Sequence, residues 1–239
     1  MKIIAHRGAS GEFPENSLLA FKQAIKQGCD GIELDVQFHQ PSGEFILLHD
    51  HYVLINGQQT HINKLSIDEL LNFDLGHQQK ICLLTSALQT ISTHCLINIE
   101  VKFSAQGQQL EHKILRLKAA LEQAIANNVI KSEQLILSSF NHHALVHSSK
   151  LLPTIDTAAL IACCPVNYAR FCATLNVKGL NLSIDCLNQE IVTDAHLCGL
   201  EVWVYTVDEH DDIERCLSYG VNGIFTNYPK RARNMLLTR

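Results

Sequence analysis

Gly31-Ile32-Glu33-Leu34-Asp35-Val36 reads as one short strand with two unlike faces. Alternate residues of a strand share a side, so Ile32, Leu34 and Val36 form an apolar set and Glu33 and Asp35 an acidic one. On a half-exposed sheet the acidic set would be solvated. In a closed parallel barrel both faces are covered, by helices outside and packed side chains inside. Glu33 and Asp35 then face the barrel interior or its mouth. Two like charges there raise each other's pKa and destabilise the fold unless a cation sits between them.

Outward from that strand the pattern repeats. In Leu96-Ile97-Asn98-Ile99-Glu100-Val101-Lys102 the apolar residues Ile97, Ile99 and Val101 alternate with Asn98, Glu100 and Lys102. Further short apolar runs at 2–5, 134–138, 154–161, 178–182, 201–206 and 222–225 bring the principal strands to eight. A helix or helix-like segment follows each. The first helix has Asn16 placed to cap it, Leu18, Phe21 and Ile25 on one face, and Gly28 to end it. The clearest helix carries Leu110, Ile114, Leu117, Leu121 and Ile125 on one face. A short extra strand at 45–48 follows a Pro41-Ser42-Gly43 turn, and residues 50–83 are polar and least periodic, with a short helix at 66–71. Eight βα units in 239 residues, with no Pro/Gly/Ser linker, predict an α/β fold. It is a single (β/α)8 TIM barrel over residues 1–239 with a short insertion, about 50–83, after the second strand. A doubly wound open sheet should carry a Gly-rich phosphate loop after its first strand, and GxGxxG is absent there.

Composition excludes other classes. Hydrophobic residues make up 46% and charged residues 18%, an ordinary globular balance that rules out disorder and low complexity. The net charge of −5, with no basic run, argues against a nucleic-acid partner or an anionic membrane surface. Nine irregularly spaced cysteines, whose one adjacent pair Cys163-Cys164 is no CxxC motif, point to a reducing compartment rather than a disulfide framework or zinc site. The opening Met1 to Gly8 has no apolar stretch of signal-peptide length, and no run approaches 18 apolar residues. The expectation is a soluble, cytoplasmic protein without stable membrane association; no segment specifies an oligomeric state.

Glu33, Asp35 and Glu100 would all lie near the C-terminal ends of their strands, where barrel active sites are built. Such oxygen ligands suit Mg²⁺ or Ca²⁺ rather than zinc. A salt-bridge network with Arg7 and Lys102 would satisfy the same carboxylates, and spacing leaves both readings open. His6 and His49 each fall just past a strand end. Beside three carboxylates they suit a general acid/base pair working with a metal, and Arg7 could fork onto a phosphate.

These residues resemble a known family. His6-Arg7-Gly8-Ala9-Ser10-Gly11, followed by Pro14-Glu15-Asn16-Ser17, is similar to the HRGxSGxxPEN[TS] opening of the glycerophosphodiester phosphodiesterases. The match continues through Glu33-Leu34-Asp35, Leu48-His49-Asp50 and Asn98-Ile99-Glu100-Val101-Lys102. It extends to Ser138-Ser139-Phe140, Val204-Tyr205-Thr206-Val207 and the run from Gly223 to Pro229. The resemblance implies a TIM-barrel hydrolase that cuts glycerophosphodiesters to glycerol 3-phosphate and an alcohol. By it, Glu33, Asp35 and Glu100 hold one divalent cation, Mg²⁺ or Ca²⁺, His6 and His49 are the acid/base pair, and Arg7 and Lys102 bind the phosphate. The glycerol 2-hydroxyl would attack phosphorus, giving a cyclic phosphate that water opens.

The sequence also departs from the family pattern. An Arg-Thr-Thr run usual after the HD is missing from His51 to Gly57, and Asn227 stands where the motif GIxTDxP has Asp. Tyr205 replaces a Trp, while Trp203 lies two residues earlier on the same face and is expected to supply similar apolar area. Tyr205, Trp203 and Phe140 are therefore candidate substrate contacts, with barrel core as the other reading of the first two. Asn227 reads as a structural turn residue. Two other functions compete: a phospholipase C or D-like barrel on intact phospholipids, which needs an apolar rim of which Phe13 and Phe140 are the only hints, and a non-catalytic binding barrel.

Overall fold

Alternation of the kind seen at 31–36 builds a closed cylinder. The computed structural model describes residues 1–104 and 106–237. Its barrel strands are β1 Lys2–Ala5, β2 Gly31–His39, β3 Leu96–Val101, β4 Leu135–Ser139, β5 Asp156–Ile161, β6 Gly179–Ser183, β7 Glu201–Tyr205 and β8 Gly223–Thr226. Each lies parallel to the next. β1 also pairs with β8, Lys2 opposite Gly223 and Ala5 opposite Thr226, which closes the ring. Helices follow seven of the strands; after β5 only the 3₁₀ turn Arg170–Thr174 does.

Odd and even strand positions separate as a barrel requires. The outward set, including Ile32, Leu34, Ile97, Ile99, Leu180, Leu182, Val202 and Ile224, packs beneath the helices in two apolar clusters. The helix Gly107–Ala126 contributes Leu110, Ile114, Leu117 and Leu121, all fully buried. Burial of this kind stabilises by about 1.5–3 kcal/mol per side chain. No helix among the described residues is long and apolar enough to cross a membrane.

Two local expectations need correction. The first helix, Leu18–Lys26, is capped by Ser17, whose Oγ accepts from the Ala20 N–H at 3.1 Å. Asn16 instead takes a left-handed φ of 55° and is turned inward, 2% exposed. The insertion is also more ordered than its polarity suggests. β2 runs on to His39 and pairs antiparallel with Glu44–Leu47, Val36 opposite Leu47. Hairpins Tyr52–Ile55/Gln58–His61 and Asp74–Gly76/Gln79–Lys80 flank the helix Ile67–Leu71, which has a Ser66/Glu69 capping box. Ile46, Val53, Ile62, Leu70 and Ile81 give this segment a small core of its own.

Candidate active site

The chain turns sharply where β1 ends, and the turn aims two functional groups. Ala5 is the last strand residue, and the His6 N–H still donates to the Thr226 carbonyl on β8 (2.9 Å). Arg7 has φ +56° and Gly8 φ +82°. A Cβ on Gly8 would lie 2.7 Å from the backbone of Ala20, so only glycine fits against the first helix. The turn points the Arg7 N–H at Glu33 Oε2, 2.9 Å away.

Glu33 and Asp35 are 3% and 0% exposed. β2 and β3 are in register there, Asp35 opposite Glu100, and the carboxylate oxygens of Glu33, Asp35 and Glu100 lie within 4.8 Å of one another. β2 is longer than the sequence pattern indicates, so Glu33 and Asp35 sit near its middle rather than its end. Arg7 Nε approaches Asp35 Oδ2 at 3.1 Å, and Lys102 Nζ lies 3.0 Å from Asp35 Oδ1 and 2.6 Å from Glu100 Oε1. Asn16, missed as a site residue, brackets Asp35: its Nδ2 donates to Oδ2 (2.9 Å) and its Oδ1 accepts the Asp35 N–H (3.0 Å).

The salt-bridge network is therefore present, and it is incomplete. Three carboxylates face two cations, which leaves one negative charge. Glu33 Oε1 is buried with no hydrogen-bond partner; Asp35 Oδ1 and Arg7 Nε, though at ion-pair distance, lack hydrogen-bond geometry. Burial, then the charges of Asp35 and Glu100, push the Glu33 carboxyl well above its ordinary range. Glu100 is raised by burial and by Asp35. Burial alone would raise Asp35 too, but Lys102, Arg7 and the Asn16 amide outweigh it and hold it low. An orphaned oxygen on a strained carboxylate, beside two more carboxylates, is a donor set that fits a hard divalent cation.

Glu33 and Glu100 line a cavity of about 240 Å³ at the barrel mouth, together with His6, Arg7, His49, Lys102 and Tyr205, and Asp35 lies buried behind them. His49 is held by β2: Gln37 Nε2 donates to its carbonyl (3.1 Å), and its Nδ1 lies 2.8 Å from Asp50 Oδ1. His6 is held low by burial and by Arg7, against the hydrogen bond its Nδ1 makes to Asn227 Oδ1 (2.8 Å). Tyr205 donates its hydroxyl to the Ile161 carbonyl (2.8 Å), and the half-exposed Phe140 ring meets it edge-on at 6.1 Å.

Trp203 is not brought to this cavity. It packs with Ile4 and Phe225 inside the barrel and lines a different cavity, about 380 Å³, at the opposite end. Its ring fills the space left by Gly223, where a Cβ would sit 2.8 Å from it. The expectation of a substrate contact is thus corrected to a core role. Phe225 takes the expected place beside Tyr205 in the mouth cavity.

Two histidines, two cationic side chains and a carboxylate cluster meet at the C-terminal mouth of a (β/α)8 barrel, an arrangement that suits hydrolysis of an anionic ester. Residues 6–231 match the model of the glycerophosphoryl diester phosphodiesterase family. The chain is 30% identical over 245 residues to a glycerophosphodiester phosphodiesterase of Caldanaerobacter subterraneus subsp. tengcongensis, covering 98% of this chain and 97% of that one. A glycerophosphodiester phosphodiesterase of Bacillus altitudinis is 30% identical over 243 residues, covering 97% and 96%. Among solved structures, an Oleispira antarctica phosphodiesterase in complex with the product sn-glycerol-3-phosphate superposes with a TM-score of 0.86 at 26% identity, covering 99% of this chain and 96% of that one. The chain belongs to the glycerophosphoryl diester phosphodiesterase family and is a phosphoric diester hydrolase.

Proposed function

We propose that this enzyme hydrolyses water-soluble glycerophosphodiesters to sn-glycerol 3-phosphate and an alcohol in the cytoplasm. A divalent cation, Mg²⁺ or Ca²⁺, would be held by Glu33, Asp35 and Glu100. The observation that carries the reading is the meeting, in one cavity, of His6 and His49 with a carboxylate cluster whose Glu33 Oε1 lacks any partner. When bound, the ion polarises a phosphoryl oxygen.

The chain's own residues do the rest. Arg7 and Lys102 neutralise the phosphodiester. One histidine removes the proton of the glycerol 2-hydroxyl as its oxygen bonds to phosphorus. The bond from phosphorus to the alcohol breaks, and the other histidine protonates the departing oxygen. Water then opens the cyclic phosphate with the proton transfers reversed. Tyr205 and Phe140 flank the carbon skeleton. The alcohol has a neighbouring groove of about 220 Å³, lined by His51, Phe103 and Asn141 and sharing Glu100, Lys102 and Phe140 with the mouth. His51 comes from the insertion, which would act as a wall of a single catalytic domain.

The test is glycerol 3-phosphate release from glycerophosphocholine and glycerophosphoethanolamine with Mg²⁺, Ca²⁺ or chelator. Metal-dependent release that disappears in Glu100→Ala supports the reading. Folded protein that releases nothing from either ester, with either metal, would overturn it in favour of a binding barrel.

A further inference from the structure

The feet of β2 and β3, at the end of the barrel away from the mouth, hold two thiols against each other. The strands run parallel with Gly31 opposite Leu96, and the ladder continues one step below, where the Leu96 N–H donates to the Asp30 carbonyl (3.1 Å). That register sets Cys95 opposite Asp30 and makes Cys29 its diagonal neighbour. Strands about 4.8 Å apart, rising about 3.3 Å per residue, put such neighbours roughly 6 Å apart between Cα atoms. Disulfides commonly span about 5.5–6 Å between theirs. The side chains meet as well. The Cys29 thiol and the Cys95 sulfur share a hydrogen bond, and both residues pack on the apolar cluster that contains Ile32 and Ile97.

Each backbone is fixed from its own side. The Cys29 N–H donates to the Ala24 carbonyl (3.3 Å) at the end of the first helix, and the Cys95 carbonyl accepts from Gln134 Nε2 (2.8 Å). Both residues are partly exposed, so a small oxidant reaches them. Cys82, Cys172 and Cys216 are unlike them: all three are buried, and burial pushes each thiol up to about 12.

The two thiols are not equivalent. The hydrogen bond from Cys29 lowers the Cys95 pKa against the effect of burial, while that bond and burial together raise Cys29, which keeps its proton. The thiolate is the reactive form of cysteine. We propose that Cys29 and Cys95 are a peroxide-sensitive dithiol, with Cys95 the attacking sulfur and Cys29 the resolving one, whose disulfide clasps β2 to β3. The Cys95 thiolate attacks one peroxide oxygen. The sulfur–oxygen bond forms, the oxygen–oxygen bond breaks, and the departing hydroxide takes up a proton to leave as water. The Cys29 sulfur then attacks the Cys95 sulfur, the sulfur–oxygen bond breaks, and the hydroxyl leaves with the Cys29 proton as a second water. Two thiols and one hydrogen peroxide thus become one disulfide and two waters.

In a reducing compartment the pair rests as the dithiol, and thiol exchange reopens it after oxidation. The bond closes residues 29–95, which carry β2, the insertion and His49, into one loop, and a cross-link over a long loop restrains the unfolded chain. Its effect falls on stability rather than on the chemistry of the mouth, because Glu33 lies about 13 Å further along the strand from Cys29. The inference stands apart from the phosphodiesterase reading and survives its failure.

The test treats the intact reduced protein with equimolar hydrogen peroxide, alkylates the remaining thiols and maps peptides by mass spectrometry. A peptide pair joined through Cys29 and Cys95 and released by dithiothreitol is expected; alkylation of both thiols after that treatment overturns the proposal. In Cys29→Ser, which leaves Cys95 a hydroxyl donor but no resolving sulfur, dimedone should trap a sulfenic acid on Cys95. In Cys95→Ser, Cys29 should remain a thiol, and the reverse pattern overturns the roles. Oxidised wild type should melt on the order of 5 °C above the reduced protein, a gap absent from Cys29→Ser. Equal melting temperatures overturn the clasp.

Discussion

The two ends of the barrel carry similar numbers of charges and do different things with them. The cavity at the N-terminal end is the larger, about 380 Å³ against 240 Å³, and is lined by Lys2, Glu133, Asp156, Lys178 and Glu201. All five are exposed, so water screens each of them and none strains the fold. At the mouth, Glu33 and Asp35 are almost wholly withdrawn from solvent, and the carboxylate oxygens crowd within 4.8 Å. Charge count does not separate a catalytic end from an inert one; denial of water does. The same difference decides which substitutions matter.

The largest effect should come from the histidines of the mouth. His6→Ala and His49→Ala should each lower turnover on glycerophosphocholine by about 10²–10⁴-fold while calorimetry still finds cation binding. Near-normal turnover in both would break the contrast between the ends. Next come two stability losses of similar size and opposite meaning. Asp35→Ala leaves Arg7 and Lys102 without their shared partner and should cost about 3–5 kcal/mol in urea melts of the metal-free protein. Trp203→Ala, at the other end, should cost about 3–5 kcal/mol through the cavity it opens, with kcat of the folded protein preserved.

Glu33→Gln sharpens the comparison further. It removes the carboxylate that has no cationic side chain against it, so cation affinity should fall at least about tenfold while metal-free stability holds or rises. Its pH dependence has a definite sign. Glu33 is raised in the folded state, so above the ordinary carboxylate value of about 4.3 the native protein binds a proton that the unfolded chain does not. Wild type should therefore gain stability relative to Glu33→Gln as pH falls from neutrality toward that value. Asp35, held low, works in reverse: its contribution is present above the ordinary aspartate pKa and lost as pH falls through the lower folded one. Melts of the two proteins at about pH 7 and pH 5 that differ by the same amount would contradict this. Smallest of all, Lys178→Ala at the solvated end should shift stability by no more than about 0.5 kcal/mol and leave turnover untouched.

Much of this was legible in the sequence, and the misses are physical. Parity along a strand carries the barrel and its inward set together, because a strand covered on both faces has nowhere else to put Glu33, Asp35, Asn98 and Glu100. Parity gives the face and not the height. Trp203 and Tyr205 share a face, but two residues of strand move a side chain about 6.6 Å along the barrel axis, enough to take Trp203 out of the mouth. Asn16 reads as a cap because Asn and Ser cap helices almost equally well. Only the backbone, with Ser17 Oγ on the Ala20 N–H, separates the two, and it frees Asn16 to bracket Asp35. The first insertion hairpin did leave a signal: Asn56-Gly57, both at positive φ, is the favoured two-residue turn, hidden among polar neighbours. Asp208 left none. Its tie to Asn227, 19 residues on, exists only because β7 and β8 lie side by side.

β2 does two jobs at once. Its barrel half carries Glu33 and Asp35, and from Asp35 onward it anchors the insertion, with the Leu48 N–H on the Asp35 carbonyl (3.2 Å) and Gln37 on the His49 carbonyl (3.1 Å). The Leu47 N–H on the Cys82 carbonyl (2.9 Å) clasps the two ends of the insertion together at the barrel. Residues 52–80 are thus a cassette seated in a fixed socket. The cassette hangs from that socket, and the hold of Gln37 on the His49 carbonyl ties His49 to the same strand that carries Glu33 and Asp35.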